Sequence, residues 1–166
     1  MPRDELLRRA ERDQRVREAA PATGRVTIWQ GLRGLWTDRR NTMWLARLVR
    51  RDGWPGIAAA GADGAHAAWL LAQHADRKPG VQRMFLEAMR DAVGRGDAAR
   101  KDLAYLEDRV RVNDGRPQIY GTQYGMTGTV FGPLPIEAPE SLDERRAAAG
   151  LQPMAEYDAE MRRLAT

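Results

Sequence analysis

One stretch decides the fold: Ala65-His66-Ala67-Ala68-Trp69-Leu70-Leu71-Ala72-Gln73-His74. It is apolar over most of its length, and its alanines would allow a neighbouring backbone to approach closely. Asp63-Gly64 precedes it and is a suitable N-terminal cap. We therefore predict a central helix from Ala65 to about Gln73.

Helical periodicity recurs on both sides of this stretch, interrupted by glycine and proline. An amphipathic helix is predicted from Arg3 to Ala19, and another from Asp38 to Arg51, ending before Gly53-Trp54-Pro55-Gly56. A helix from Val81 to Val93 follows Pro79, and one capped by Asp97 continues to about Val112. Residues 20–37 form a variable connection in this interpretation, with a brief strand at Val26-Thr27-Ile28-Trp29.

The pattern changes after Arg116. Gln118 to Tyr124 alternates as a strand does, and Thr127 to Phe131 is a suitable antiparallel partner. Residues 133–166 are predicted to form a helical tail packed on the domain, because Ser141-Leu142-Asp143-Glu144 is a capping box and Pro153 precedes a last helix. The prediction is a mainly α single domain over residues 1–166, a compact bundle of about six or seven helices with a small β-hairpin near residues 116–132.

Composition narrows the possible functions. The 166 residues include no cysteine, which excludes disulfides and thiolate ligands and favours the cytoplasm. No apolar run is long enough to span a bilayer, so we expect a soluble protein without a membrane segment. The net charge of +4 arises from 27 cations interspersed with 23 anions, and we predict no nucleic-acid binding because no basic stripe alternates with aromatics.

The two histidines, His66 and His74, are candidates for chemistry. Eight positions apart on one helix, they lie about 12 Å apart along its axis, too far to share a metal ion. We therefore expect no metal and no other cofactor. His66, in the first turn of the helix, is interpreted as a surface or satisfied side chain.

His74 lies within Gln73-His74-Ala75-Asp76, where the helix should end. If the last turn unwinds, the Asp76 carboxylate could reach the imidazole, and such an oriented pair is a plausible general base. The alternative is that His74 binds the carbonyl groups at its own helix terminus while Asp76 caps the next segment. The residue types allow both.

A second polar segment runs from Arg116 to Gln123. In a regular strand Gln118, Tyr120 and Thr122 would share a polar, uncharged face, which suits an anionic or amide-bearing ligand, although such faces are usually only solvated. Asp108 and Arg109 on the preceding helix form either part of this site or a surface network. Further polar residues that could face inward are Asp13, Gln14, Arg17, Asp38 and Asn41.

Several of these segments together resemble a widespread bacterial family catalogued as a domain of unknown function. The resemblance rests on Trp54-Pro55-Gly56, Ala67 to Asp76, Leu103 to Val110 and Gly115 to Gln123, and extends to Asp13-Gln14, Arg17, Asn41 and Asp143 to Arg146. It implies no activity. It singles out His74, Asp76, Asp108, Arg109, Gln118, Tyr120 and Gln123, whereas the segment with Trp29 and Trp36 departs from the usual pattern and leaves a specialised ligand open.

The leading hypothesis is a small cofactor-independent enzyme that acts on a polar small molecule or peptide by hydrolysis, elimination or isomerisation. His74 would be the acid or base and Asp76 its orienting carboxylate. The predicted ligand-binding residues are Gln73, Asp108, Arg109, Arg116, Gln118, Tyr120, Gln123, Asp13, Gln14 and Asn41. This hypothesis requires His74 and the 118–123 segment to line one cavity. The alternative is a non-catalytic ligand-binding or protein-interaction domain; the oligomeric state is not predicted.

Overall fold

The computed structural model describes residues 2–18 and 28–165. Within them the chain forms seven α-helices and a two-stranded antiparallel sheet, which confirms the predicted mainly α class with a small β-hairpin. The chain divides into two compact units, Met1–Ala98 and Ala99–Thr166. Over these described ranges, no helix combines the length and apolar character needed to cross a membrane.

The first unit consists of four helices, α1 (Pro2–Glu18), α2 (Ile28–Asp52), α3 (Ile57–Gln73) and α4 (Pro79–Gly94). α1 packs mainly against α3. The two helices approach closely at Gly64, where an added Cβ would lie 3.3 Å from Cγ and 3.6 Å from Cα of Arg3 on α1. Of the alanines in the predicted stretch, Ala65, Ala67, Ala68 and Ala72 are buried. The core is filled by Leu6, Leu45, Leu71, Phe85 and Met89.

α2 is longer than predicted. It begins at Ile28, so residues 28–37, which we assigned to a variable connection with a short strand, are helical. The β-prone residues and the glycines at 31 and 34 suggested a loop, but a glycine inside a helix costs only about 1 kcal/mol, which the rest of a long helix can offset. Val26 and Thr27, the first part of the predicted strand, lie outside the described residues.

α3 also begins earlier than predicted, at Ile57 instead of Ala65, and its helical geometry is broken once, at Gly61 with φ 72° and ψ 167°. Asp97 holds this N-terminus. Its backbone carbonyl accepts a hydrogen bond from the Ile57 N–H at 2.8 Å, and its Oδ1 accepts one from the Ala58 N–H at 2.7 Å. The prediction that Asp97 caps the following helix was wrong, because these bonds commit it to α3.

The second unit contains α5 (Arg100–Asn113), strands β1 (Tyr124–Thr127) and β2 (Val130–Pro133), a 3₁₀ turn (Pro139–Ser141), α6 (Leu142–Ala148) and α7 (Met154–Leu164). The strands pair with Tyr124 opposite Pro133 and Thr127 opposite Val130. Tyr157 of α7 packs edge-on against the rings of Tyr105 and Tyr124. α7 is thereby placed against both α5 and the hairpin.

The hairpin lies close to the predicted region, but its first strand begins at Tyr124, not at Gln118. Residues 118–123 are not a regular strand, apart from an isolated parallel bridge between Gln118 and Ile136. The Asp108 side chain accounts for the difference, because its carboxylate accepts hydrogen bonds from the backbone N–H groups of Ile119, Tyr120 and Thr122. Amides bonded to a side chain are not available to a strand partner.

Candidate functional site

The imidazole of His74 lies at the C-terminus of α3, one residue beyond Gln73, as the sequence predicted for the end of this helix. Its Nδ1 is 2.5 Å from Oδ2 of Asp13 on α1. The Asp13 side chain is 1% exposed and the His74 side chain 17% exposed. A buried carboxylate therefore holds one edge of a ring that is still accessible to solvent.

Arg17, one turn after Asp13 on α1, joins the pair to α2. Its Nε lies 3.0 Å from Oδ2 of Asp13, and its Nη2 donates to Oδ1 of Asp38 at 2.8 Å. Helices α1 and α2 and the end of α3 thus meet in a chain of polar contacts, Asp38–Arg17–Asp13–His74. Each carboxylate has a cationic or potentially cationic partner, which buried charges require.

The tautomer of His74 follows from these distances. A nitrogen and a carboxylate oxygen approach to 2.5 Å only with a proton between them, so Nδ1 carries the hydrogen and Asp13 accepts it. The Nε of Arg17 also lies 3.1 Å from Nδ1, but a protonated Nδ1 cannot accept, so this N–H serves the carboxylate. Within the described residues the ring makes its one hydrogen bond through Nδ1, which leaves Nε2 as the nitrogen able to exchange a proton.

The two carboxyl groups differ in their electrostatic surroundings. Burial disfavours the charged form of Asp13, but the hydrogen bonds and charges of His74 and Arg17 outweigh this effect and hold the pKa of its carboxyl below the ordinary value. Burial raises the pKa of the Asp38 carboxyl, and Arg17 offsets this only in part. Asp13 is therefore the more firmly ionised of the two.

His74 and Asp38 border a cavity of about 420 Å³. Two exposed apolar residues, Leu35 and Trp36, line part of it, and Trp36 is 67% exposed. Three cationic side chains line another part: Arg39, Arg77 and Lys78. The volume is within the range of small-molecule sites, and the lining combines apolar and charged groups as such sites do.

Asp76 has a different partner from the one predicted. Its Oδ1 accepts a hydrogen bond from Nε2 of Gln82, which also lies within 3.1 Å of the carbonyl oxygens of Ala72 and Gln73. The carboxylate that orients the Nδ1 edge of His74 is that of Asp13, which we had predicted to bind ligand. Asp13 is 61 residues away from His74 in the chain, so only the packing of α1 on α3 reveals the pair.

A family model described as a family of unknown function, DUF6624, matches residues 2–164. The chain belongs to this family. That assignment confirms the resemblance found in the sequence to a family without known function. No curated protein and no solved structure matches the chain.

In this DUF6624 chain, the other polar residues predicted in the first unit occupy three different settings. Gln14 is exposed. The Oδ1 of Asn41 accepts a hydrogen bond from Arg9 at 3.2 Å. Among the described residues, the buried Nδ2 of Asn41 and Nε2 of Gln73 have no hydrogen-bond partner. Neither residue lines the cavity beside His74.

The second polar segment of this DUF6624 chain forms a network inside its own unit. Gln118 is fully buried, and its side chain donates to the carbonyl of Gln123 at 2.9 Å and accepts from the Gln123 N–H at 2.8 Å. Arg109 donates to Oε1 of Gln123 at 3.1 Å, while Tyr120 is half-buried and Arg116 exposed. Asp108 and Gln118 use their polar atoms to hold the 118–123 segment, and Asp108 is fully buried, so it is not part of a surface network.

The sequence analysis assigned no role to two groups of residues. Arg146, 26 residues from Tyr120, is buried and donates to the carbonyls of Tyr120 and Gln152, and arginine is almost never expected inside a core. The sequence does not single out the cavity cations Arg39, Arg77 and Lys78, because charged residues at the surface follow no regular spacing. In the described ranges, no group of three or more histidine or acidic side chains could hold a metal ion.

His74 belongs to the unit Met1–Ala98 and the 118–123 segment to the unit Ala99–Thr166. The hypothesis that both line one cavity stays a prediction.

Proposed function

We propose that the chain is a cofactor-independent enzyme in which Nε2 of His74 exchanges a proton with a polar small molecule or peptide bound in the 420 Å³ cavity. One observation supports this most directly: the 2.5 Å contact between Nδ1 of His74 and the buried carboxylate of Asp13. It fixes the ring and leaves the opposite nitrogen unprotonated in the neutral imidazole.

In this proposal His74 is the catalytic residue and Asp13 a positioning residue. When Nε2 takes a proton from the substrate, or in hydrolysis from the water that attacks it, the ring becomes an imidazolium whose positive charge lies against the Asp13 carboxylate. Arg17 keeps that carboxylate ionised and in place through its bond to Oδ2. The same nitrogen then returns the proton to a leaving group or to another carbon of the substrate, so hydrolysis, elimination and isomerisation all fit this geometry.

The second candidate function is ligand binding without turnover. The observation that favours it is the lining of the cavity, where an exposed tryptophan and three cations provide contacts that need no proton transfer. On this alternative the His74–Asp13 bond would only hold the end of α3 against α1.

Turnover by matched histidine variants tests the proposal. The purified protein is assayed against panels of esters, amides, phosphoesters and hydroxy acids, with His74→Gln, His66→Gln and the unmodified chain in parallel. We expect turnover that falls by about 10²- to 10⁴-fold in His74→Gln, the range for losing a general acid or base, and that is unchanged in His66→Gln. Equal turnover in all three proteins, or none in any, would favour the binding alternative.

The positioning role of Asp13 has its own control. Asp13→Asn should lower kcat by about 10²-fold or more with little change in KM, because the ring loses its orientation and the imidazolium its counter-charge. Asp76→Asn removes the carboxylate that the sequence analysis paired with His74, and it should lower kcat less than Asp13→Asn does. A larger loss in Asp76→Asn than in Asp13→Asn would reverse the two roles.

A further inference from the structure

Among the described residues, the three cationic side chains of the cavity have no partner of their own. Within the described part of the chain, the side chains of Arg39, Arg77 and Lys78 take part in no hydrogen bond or ion pair, although ion pairs are frequent elsewhere on the first unit. Arg77 and Lys78 follow His74 in the turn before α4, and Arg39 lies on α2. Two separate segments thus direct positive charge to one cavity.

The carboxylates nearby do not cancel this charge. Asp38 is the only acidic residue among the described residues that line the cavity, and its Oδ1 is bound to Arg17. Asp13 is buried beneath the surface and bound to both Arg17 and His74. An anion that enters the cavity therefore meets three unpaired cations and one carboxylate already paired.

We propose that the substrate of this site carries an oxyanion, a phosphate or a carboxylate, which Arg39, Arg77 and Lys78 bind while the adjoining part of the molecule reaches Nε2 of His74. Guanidinium groups bind both anions through paired N–H donors, and lysine adds a point charge. Leu35 and Trp36 provide an apolar wall on which a ring or alkyl part of the substrate can pack. That the bound anion belongs to a substrate rests on the proposed function, whereas binding of the anion does not require catalysis.

The two histidines permit a direct test by NMR. With only His66 and His74 to label, the full chain is titrated with inorganic phosphate, malonate and phenyl phosphate at constant ionic strength, with chloride as the reference. We expect a saturable shift of the His74 ring signals and an unchanged His66. Phenyl phosphate should bind more tightly than inorganic phosphate because of Trp36. An equal response of both histidines, or a His74 shift no larger than that in chloride, would overturn the proposal.

Matched charge variants locate the anion. Arg39→Gln and Lys78→Gln should each weaken phenyl phosphate binding about tenfold, the loss expected for one charge-assisted contact. Arg50→Gln removes the same charge from an exposed position of α2 outside the cavity, and Lys101→Gln removes the only other lysine; both should leave Kd within about twofold. Equal weakening in the cavity variants and their controls would mean nonspecific attraction and would contradict the assignment.

Anion binding and turnover can be measured separately, so the anion site can be rejected without rejecting the proposed function, and the reverse. Binding of phenyl phosphate to His74→Gln, measured by calorimetry, should remain within a few-fold of that of the unmodified protein. Anion binding that persists while no variant affects turnover would support the anion site and reject the acid–base role. Turnover that depends on His74 but not on Arg39 or Lys78 would do the reverse.

Discussion

Asp108 shows how one side chain sets the path of a whole segment. It is 0% exposed, and its two carboxylate oxygens accept the N–H groups of Ile119, Tyr120 and Thr122 together with the Thr122 hydroxyl. A carboxylate accepts hydrogen bonds at both oxygens and donates none, so it matches the donors that the loop turns toward it. The irregular course of residues 118–123 is therefore imposed by α5 and not by the propensity of the segment.

Asp108→Asn should destabilise the chain by about 2–4 kcal/mol, because the new amide group points a donor at N–H groups that are already donors. Urea unfolding of the variant measures this loss. Glu144→Gln removes one negative charge at an exposed position of α6 and should change the free energy of unfolding by less than about 0.5 kcal/mol. Similar values for the two variants would show that charge alone, not the bonding at Asp108, accounts for the effect.

Asp13 and Asp38 should make the stability depend on pH with opposite signs. The pKa of Asp13 in the folded chain lies below its ordinary value of 3.8, so the stability it contributes is complete above that pH and is lost as the pH falls through the lower folded pKa. The pKa of Asp38 is raised, so its contribution is present at low pH and is lost as the pH rises through the raised value.

Free energies of unfolding of the unmodified chain, Asp13→Asn and Asp38→Asn, measured between about pH 3 and pH 6, test this pair of signs. The destabilisation caused by Asp13→Asn should shrink on acidification. Relative to the unmodified protein, Asp38→Asn should become more stable as the pH rises. Parallel curves for both variants would contradict the opposite pKa shifts.

At the scale of elements, the helix ends explain most of the differences between prediction and structure. The interior of α3 was predicted from its apolar residues, but its start depends on Asp97, 40 residues after Ile57 in the chain. The start of α2 was not predicted because glycine residues in a sequence suggest that a helix is interrupted. A few hydrogen bonds to distant residues fix where helices start and end. The local periodicity of the sequence does not predict these bonds.

The N-terminus of α3 should tolerate no side chain at Gly56. A Cβ there would lie 2.1 Å from Oδ2 and 2.5 Å from the backbone oxygen of Asp97, the residue that caps the helix. Because that carbonyl belongs to the backbone, Gly56→Ala should destabilise by about 2 kcal/mol or more. In Gly94→Ala, at the end of α4, the added Cβ meets nothing within 4 Å.

Gly94→Ala is therefore the control for Gly56→Ala, and it should stabilise the chain by up to about 1 kcal/mol because alanine is the better helix former. Thermal unfolding of both variants compares them directly. A neutral Gly56→Ala would mean that the cap formed by Asp97 is dispensable.

At the scale of the whole molecule, the aromatic residues report on the two units separately. All five tryptophans lie at positions 29 to 69, within Met1–Ala98, and all four tyrosines lie at positions 105 to 157, within Ala99–Thr166. The sequence predicts one domain, in which both units would unfold in a single cooperative transition.

Unfolding followed by tryptophan-selective fluorescence and by tyrosine near-ultraviolet absorption tests the one-domain prediction. We expect the two midpoints to coincide. Asp108→Asn, which lies in the tyrosine-containing unit, should then shift both transitions by the same amount. Separate midpoints, with only the tyrosine signal shifted by Asp108→Asn, would show two independently folding domains.

The sequence by itself determined the mainly α class, the central alanine-rich helix, the restart of the chain at Pro79 and the hairpin near residues 116–132, because these depend on periodicity and on local turn residues. The family followed separately, from the resemblance of several segments to a known family. Tertiary structure decided the partner of His74, the role of Asp97 and the course of residues 118–123. The physical reason is the same in each case: a hydrogen bond between side chains or caps tens of residues apart leaves no spacing in the sequence, and only the packing of α1 on α3, or of α5 on the loop that follows it, brings donor and acceptor together.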